Sequence, residues 1–291
     1  MITLARQIPR WARAGALALA LAAGCGAGHR DEAGSSSSAL TNPNSLNLNA
    51  LNLNALNLNA LNLNALNLNA LNLNSLDPAA LSTLSGSTLT SAIAREVFRY
   101  MVGCALGPSH SVEVTWTDSK GRLHVETYYG LLSLATSWTG RALTGDEADW
   151  VSACVVSRAN YYGTAVEISS RGNHSQLSAK TTSAERAAFT RLEGAFWGNL
   201  FGSAPYLRAC HFAPNLSYSR TKYRDCAVGH LKPNGTIESC GPIARHGTCL
   251  DESGNGQSWT PCKSLNSGDY YQACLRPDGS ESDRVVTTWL Q

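Results

Sequence analysis

The cysteines are the residues whose number and spacing say most about the chemistry available to this chain. Of nine cysteines, eight lie between residues 104 and 274, and Cys25 stands apart. An even number of cysteines is typical of disulfides in oxidising compartments, so we predict four of them. Zinc is the rival, because Cys226 with His230 and His246 with Cys249 have ligand-like spacing, but without any CxxC pair we predict no metal or cofactor. The eight residues are Cys104, Cys154, Cys210, Cys226, Cys240, Cys249, Cys262 and Cys274.

The pairing of these cysteines is only partly constrained by their positions. Cys104 and Cys154 fall on two separate predicted helices, over 91–105 and 144–160, which makes a bond between them the simplest pairing. The other six allow many connectivities, so spacing alone leaves their pairing open. We predict the sequential bonds Cys210–Cys226, Cys240–Cys249 and Cys262–Cys274.

Acidic side chains offer another route to chemistry, because glycoside hydrolysis needs one carboxyl group as acid and a second as base or nucleophile. Glu193 is the candidate, since it lies at the edge of an apolar helical face near Phe196 and Trp197, where partial burial would raise its pKa. The alternative is a rim glutamate paired with Arg186 or Arg191. The sequence has no HExxH, GxSxG, P-loop or GxGxxG motif, which favours a non-catalytic protein over an enzyme.

One loop has spacing that resembles a calcium site. Asp251, Ser253 and Asn255, followed by Gly256, match the start of an EF-hand loop. Cys262 stands where such a loop needs a bidentate glutamate, and no flanking helix is predicted. We therefore favour a polar turn between disulfides over a calcium site.

Aromatic residues form the remaining candidate site. Tyr161 and Tyr162 lie at a chain turn, and Trp197 lies near Glu193. Aromatic side chains bind sugars and peptides because their faces are apolar and their tips are polar. These three residues are the candidate binding platform, with core packing as the alternative.

The N-terminal residues have the pattern of a secretion signal. Arg6, Arg10 and Arg13 precede the apolar run 14–23, which is too short to span a bilayer. The stretch 21–25, LAAGC, resembles a bacterial lipobox, which implies cleavage before Cys25 and attachment of lipid to its sulfur. We expect residues 1–24 to be a signal peptide and the mature protein to be an outer-membrane lipoprotein. An ordinary signal peptide and a secreted protein are the alternative.

The net charge bears on the class of partner. Removal of residues 1–24 changes it from +2 to −1, since three arginines and no acid are lost. A nearly neutral chain without a basic stripe argues against nucleic acid. We expect a membrane contact through the lipid anchor and a cell-surface glycan or protein as partner.

Residues 46–76 repeat leucine and asparagine with a five-residue period. This period places successive leucines about 140° apart on a helix and shifts the parity of a strand once per repeat, so neither element gains an apolar face. The tract superficially resembles the pentapeptide-repeat proteins, which form a four-sided β-helix, but Leu51 stands where that family has a small residue. We predict a disordered or irregular spacer after a flexible linker at 25–45, with a fibril-forming tract as the alternative.

From about residue 80 the composition is that of a globular domain, 80–291, with a helical and hairpin part at 91–202 and a cysteine-rich part at 203–291. Periodicity predicts helices over 91–105, 144–160 and 182–201, the last two opening with capping boxes at Thr144–Glu147 and Thr182–Glu185. Alternation predicts a hairpin over 112–125 and strands over 164–170 and 284–290. The fold class is therefore α+β, with a loop-rich part held by disulfides.

Together with the lipobox and the tract, the segments REVFRYMVGCAL, DWVSACVVSRANYYG and EGAFWGNLF resemble a group of exported lipoproteins of high-GC gliding bacteria. The resemblance covers nearly the whole chain and implies location and architecture rather than a reaction. We therefore expect a surface or periplasmic lipoprotein with a non-catalytic binding or structural role. The alternative is a secreted hydrolase directed at glycans or peptidoglycan.

Overall fold

The domain combines helices with one six-stranded sheet and several short two-stranded ladders, so it is α+β as the sequence predicts. The computed structural model describes residues 45–46, 51–52, 92–162, 166–250 and 260–291. The described helices are α1 (Ala92–Ala105), α2 (Gly145–Ser157), α3 (Ser183–Ala188) and α4 (Leu216–Thr221), with 3-10 turns at Thr136–Thr139 and Ala213–Asn215. None of these helices is long and apolar enough to cross a bilayer.

The described strands are numbered in chain order. They are β1 (Ser45–Leu46), β2 (Leu51–Asn52), β3 (Ser111–Thr117), β4 (Leu123–Tyr129), β5 (Ala159–Asn160), β6 (Ile168–Arg171), β7 (Arg191–Asn199), β8 (Tyr206–His211), β9 (His230–Leu231), β10 (Ile237–Glu238), β11 (Ile243–Thr248), β12 (Leu265–Asn266), β13 (Tyr270–Tyr271), β14 (Cys274–Leu275), β15 (Glu281–Ser282) and β16 (Val286–Leu290). The predicted hairpin is β3–β4, and the strand predicted over 284–290 is β16.

The main sheet has the strand order β1-β6-β16-β7-β8-β11. Its neighbours are antiparallel except β8 and β11, which run parallel. β16 therefore lies in the middle of the sheet, between two strands that precede it in the chain by more than a hundred and by about ninety residues.

Helix α2 is the central helix of the domain and is set locally by its capping box. The Thr144 hydroxyl accepts a hydrogen bond from the Glu147 amide, and the Glu147 carboxylate accepts one from the Thr144 amide, so two free amides of the first turn are satisfied. Residues 148–157 are all buried, because the helix packs on β7 on one side and on α1 on another.

Two apolar cores lie on opposite faces of the main sheet. The larger core joins α1, α2 and the β3–β4 hairpin to the sheet and includes Trp138 and Phe196. The smaller core includes Trp197, Tyr271 and seven further buried apolar residues or cysteines packed around β7. Because Phe196 and Trp197 are adjacent on one strand, their side chains point to opposite faces and enter different cores.

The helix predicted over 182–201 is wrong beyond its first turns. Its capping residue Thr182 is correct, but α3 ends at Ala188 and the chain continues as β7 from Arg191. Apolar residues in this segment fit a helical face by spacing, yet Gly194 and Gly198 weaken a helix and permit close approach of β8. Pairing on both sides with β8 and β16 makes β7 a central strand.

Two short segments near the leucine-asparagine tract pair with the domain. β1 pairs antiparallel with β6, and β2 pairs parallel with β5. The sequence predicts a spacer here, so these two backbone pairings are an unpredicted contact between its first residues and the domain. The remainder of the tract lies outside the described residues, as do Cys25 and the signal sequence.

All eight cysteines of the domain form disulfides. The predicted bonds Cys104–Cys154 and Cys262–Cys274 are present, with Cα separations of 6.0 Å and 4.0 Å. The predicted bonds Cys210–Cys226 and Cys240–Cys249 are wrong, and the observed bonds are Cys210–Cys249 and Cys226–Cys240. The reason is the parallel pairing of β8 with β11, which brings the ends of these two strands together so that Cys210 meets Cys249.

Candidate functional site

Glu193 lies inside the domain and not at a rim. Only 1% of the residue is exposed, and its carboxylate accepts hydrogen bonds from Arg224 at 3.0 Å and 3.1 Å. Neither of the predicted partners Arg186 and Arg191 makes this contact, since Arg186 is paired with Asp269. A buried carboxylate held by a guanidinium group is a structural ion pair, and its position gives no access to a glycan.

A β-bulge explains why Glu193 faces the larger core. Thr288 pairs with Gly194 and Trp289 pairs with Leu192, so Glu193 is an extra residue on β7. A bulge re-aims the side chains next to it, and here Leu192 enters the smaller core while Glu193 reaches Arg224 on the other side. The sequence of β7 alone does not predict the bulge, because the bulge depends on pairing with β16, which is far away in the chain.

Trp197 is not part of an exposed aromatic platform. It is fully buried in the smaller core, and its indole N–H donates a hydrogen bond to the Leu275 carbonyl at 2.8 Å. The core-packing alternative is therefore correct for this residue. The calcium candidates Asp251, Ser253 and Asn255 lie outside the described residues.

Tyr161 and Tyr162, by contrast, belong to a cluster at the surface. They follow α2, and the residues they meet come from the cysteine-rich part of the chain. We call the set the tyrosine–histidine cluster. Its members are Tyr161, Tyr162, Tyr223, Asp225, His230 and Glu238.

The second half of this cluster is positioned by a small hairpin and a disulfide. β9 and β10 pair so that His230 stands opposite Glu238. The turn between them is closed by hydrogen bonds between Lys232 and residues 235 and 236, with Gly235 at a φ of 81°. The Cys226–Cys240 bond joins the two ends of this segment, so the hairpin is anchored to the buried part of the domain.

The His230 imidazole is held on several sides. Its ring stacks on Tyr161 with centroids 3.5 Å apart and planes inclined by 9°. Its Nδ1 atom lies 2.8 Å from Asp225 Oδ2, and the Tyr162 hydroxyl donates to the same oxygen at 2.9 Å. Tyr223 meets Tyr162 edge to face at 5.1 Å. These contacts fix the orientation of the aromatic rings before any ligand binds.

Electrostatics keep the polar groups of the cluster in defined states. Burial of the hydroxyl, followed by its hydrogen bond to Asp225, raises the pKa of Tyr162 to about 12, so it remains a donor at neutral pH. The hydrogen bond from Lys232 to Glu238, aided by the Tyr161 hydroxyl, lowers the pKa of Glu238, so this carboxylate is ionised. The cluster thus offers neutral aromatic rings beside carboxylate acceptors.

Exposure decides which members can reach a ligand. Tyr223 is 52% exposed and Tyr162 is 40% exposed, whereas Asp225 is buried beneath them. Tyr223 also has a φ of 59°, an uncommon conformation for a residue with a large side chain. Two exposed aromatic rings near the half-exposed Glu238 carboxylate form a surface that can stack on a planar or sugar ring and accept hydrogen bonds from it.

The sequence identified only part of this cluster. The adjacent tyrosines were visible as a pair, but Asp225, His230 and Glu238 lie 63 to 77 residues away from the tyrosines they bind. The spacing of His230 from Cys226 resembles that of two zinc ligands. Cys226 is bonded to Cys240 and Cys249 to Cys210, so the cysteine of each zinc-like pair forms a disulfide.

No family model, no curated protein and no solved structure matches the chain.

Proposed function

We propose that this protein is a cell-envelope lipoprotein whose domain binds a glycan through the tyrosine–histidine cluster. The observation that carries the proposal is the pair of exposed rings, Tyr162 and Tyr223, held edge to face above the Asp225 carboxylate. The lipid anchor is inferred from the lipobox that ends at Cys25. The proposed role is binding rather than catalysis.

The chemistry of the cluster favours a sugar. A pyranose ring presents C–H groups on one face and hydroxyl groups at its edge, so it needs an aromatic face and nearby acceptors or donors. Tyr162 and Tyr223 supply the faces, and Glu238 with Lys232 supplies a half-exposed acceptor and a donor. Because His230, Tyr161 and Asp225 fix these groups in place, little ordering would be needed on binding.

Binding can be tested by titrating the mature protein with soluble peptidoglycan strands and with neutral glucans in a calorimeter. We expect Tyr223→Ala to weaken binding about tenfold or more, which corresponds to about 1.4 kcal/mol. Tyr129→Ala is the matched control, since Tyr129 is an exposed tyrosine on β4, 62% exposed and outside the cluster. Equal losses in the two variants, or no binding of either glycan by the wild type, would count against the cluster as the site.

The lipid anchor has its own test, which is independent of the ligand. The intact mass of the protein isolated from membranes should lack residues 1–24 and carry acyl groups on Cys25. Alkylation without reduction should leave that mass unchanged, since the eight other cysteines are all bonded. A mass without acyl groups would make this a secreted protein.

The hydrogen bond between His230 and Asp225 favours one second candidate, a glycan-directed hydrolase. A carboxylate on Nδ1 orients an imidazole so that Nε2 can take a proton. Incubating the wild type with the same glycans and measuring new reducing ends tests this candidate. Release of reducing ends that is lost in His230→Gln would replace the binding proposal, and binding without release would support it.

A further inference from the structure

Arg158 is a buried cation at the C-terminal end of α2. It is the C-cap residue of the helix, and only 4% of it is exposed. Its Nη1 and Nη2 atoms are both buried, and within the described part of the chain neither has a hydrogen-bond acceptor. Burial lowers the pKa of Arg158 to about 10, which still leaves the side chain charged at neutral pH.

The acceptors closest to Arg158 in sequence are already used by a second buried arginine. Arg224 donates to the Ser157 carbonyl at 2.6 Å and to the Ala159 carbonyl at 3.0 Å. The same guanidinium group holds the Glu193 carboxylate. Arg224 therefore uses the Glu193 carboxylate and the carbonyl oxygens on either side of Arg158, and its own charge opposes that of Arg158.

A third donor lies across the helix pair. Tyr100 is on α1, one turn before Cys104, and Arg158 is one turn after Cys154, to which Cys104 is bonded. The two side chains are close enough to interact electrostatically. The Tyr100 hydroxyl is buried and has no partner among the described residues. Burial raises the pKa of Tyr100, so the hydroxyl stays protonated and keeps a proton that it can donate to a ligand.

We propose that Arg158 and Tyr100 bind one small monovalent anion inside the domain, either a halide ion or the carboxylate group of a small ligand. Three buried donors and a net positive charge define the site. An unpaired charge is far more costly to bury than a paired one, and a water molecule would satisfy the hydrogen bonds without compensating the charge.

Thermal unfolding in different anions tests this proposal on the mature protein. After dialysis into sodium isethionate, whose anion is large, titration with chloride or formate at constant ionic strength should raise Tm by about 5–10 °C at saturation. A halide site responds to chloride and bromide, and a carboxylate site responds to formate and acetate. The dependence should vanish in Arg158→Met, which keeps the apolar stem and removes the charge. Arg99→Met, at a half-exposed arginine of α1, is the control and should keep it.

Crystallography on the wild type covers the case in which Arg158→Met does not fold. Crystals grown in sodium bromide, or in sodium formate for the carboxylate case, should show an anomalous bromide peak or planar formate density within about 3.5 Å of the Arg158 guanidinium group. Water alone at that position, a side chain of the tract in its place, or equal anion dependence in wild type and Arg158→Met would overturn the proposal.

Discussion

The buried ion pair between Glu193 and Arg224 is the most consequential polar contact of the domain at the level of single residues. Both side chains are almost completely buried, and Arg224 also ties the end of α2 to β7 through backbone carbonyls. Removing one partner of such a pair leaves an uncompensated buried charge, which costs more than the pair itself contributes.

Glu193→Gln should therefore lower the free energy of unfolding by about 3–5 kcal/mol, as measured by urea denaturation. The matched control is Glu281→Gln, which removes the carboxylate of an exposed pair with Lys263 and should cost about 0–1 kcal/mol. A loss as small in Glu193→Gln as in the control would contradict the structural role assigned to Glu193.

The carboxylate of Glu147 makes the stability of the domain depend on pH. Burial alone would raise its pKa, but hydrogen bonds from Arg141, Ser137 and Thr144 to the carboxylate outweigh burial and lower the pKa to about 2. Because the folded-state pKa lies below that of the unfolded chain, the carboxylate stabilises the fold above about pH 4.5, and the stabilisation is lost as the pH falls towards 2.

Lowering the pH from 7 to 3 should remove about 2 kcal/mol of stability through Glu147. In Glu147→Gln that part of the loss should be absent, although the variant is less stable at neutral pH. Denaturant unfolding at the two pH values measures the difference, with Glu113→Gln on the exposed face of β3 as control. An identical acid loss in Glu147→Gln and wild type would refute the assignment.

At the scale of elements, β7 is the strand on which the sheet depends. Gly194 lies so close to β8 that a Cβ atom there would come within 2.0 Å of the Cys210 carbonyl oxygen. The same residue would be an ordinary interior position of the helix predicted over 182–201. A substitution at Gly194 therefore distinguishes a strand in this segment from a helix.

Gly194→Ala should destabilise the domain by several kcal/mol, because the clash is with backbone. In a helix, the same change would stabilise by about 1 kcal/mol. Gly145→Ala is the control, since Gly145 begins α2 with nothing within 4 Å of an added Cβ, and it should be neutral or stabilising. Thermal unfolding of both variants compares their Tm values with that of the wild type. A Gly194→Ala variant more stable than the wild type would contradict the assignment of this segment as strand β7.

The elements that the sequence predicts correctly are those fixed by local interactions. The capping box at Thr144, the turn after β3 and the alternation of β16 all involve residues a few positions apart. The segment after Ala188 was mispredicted because its apolar residues fit two periods, and only pairing with β8 and β16 chooses between them. The sequence does not predict the contacts of Arg224 with Glu193 and of His230 with Tyr161, because each joins residues that are far apart in the chain.

At the scale of the whole molecule, the disulfides divide the cysteine-rich part into two groups. Cys226–Cys240 is self-contained and supports the β9–β10 hairpin. The other two bonds lie side by side in the smaller core, where Cys210 Sγ is 3.5 Å from Cys262 Sγ. The connectivity can be read by peptide mapping, because trypsin does not cut at Lys232–Pro233 or Arg276–Pro277.

Tryptic digestion without reduction should release peptide 225–245 alone, with Cys226 and Cys240 bonded inside it. Peptides 209–220, 246–263 and 264–284 should appear as one linked species, because Cys249 and Cys262 share the middle peptide. The sequential pairing would instead link all four peptides. Mass spectrometry separates these outcomes, and a reduced and alkylated digest is the control.

The position of β16 also governs when the domain can fold during synthesis. Its residues 286–290 fill the gap between β6 and β7, whose edges remain unpaired until that late segment is available. A chain that has emerged only as far as the cysteine-rich part therefore holds an open sheet with exposed apolar residues. Pairing of β16 with both neighbours is therefore the step that closes the sheet, and until it occurs the chain cannot hold its native topology.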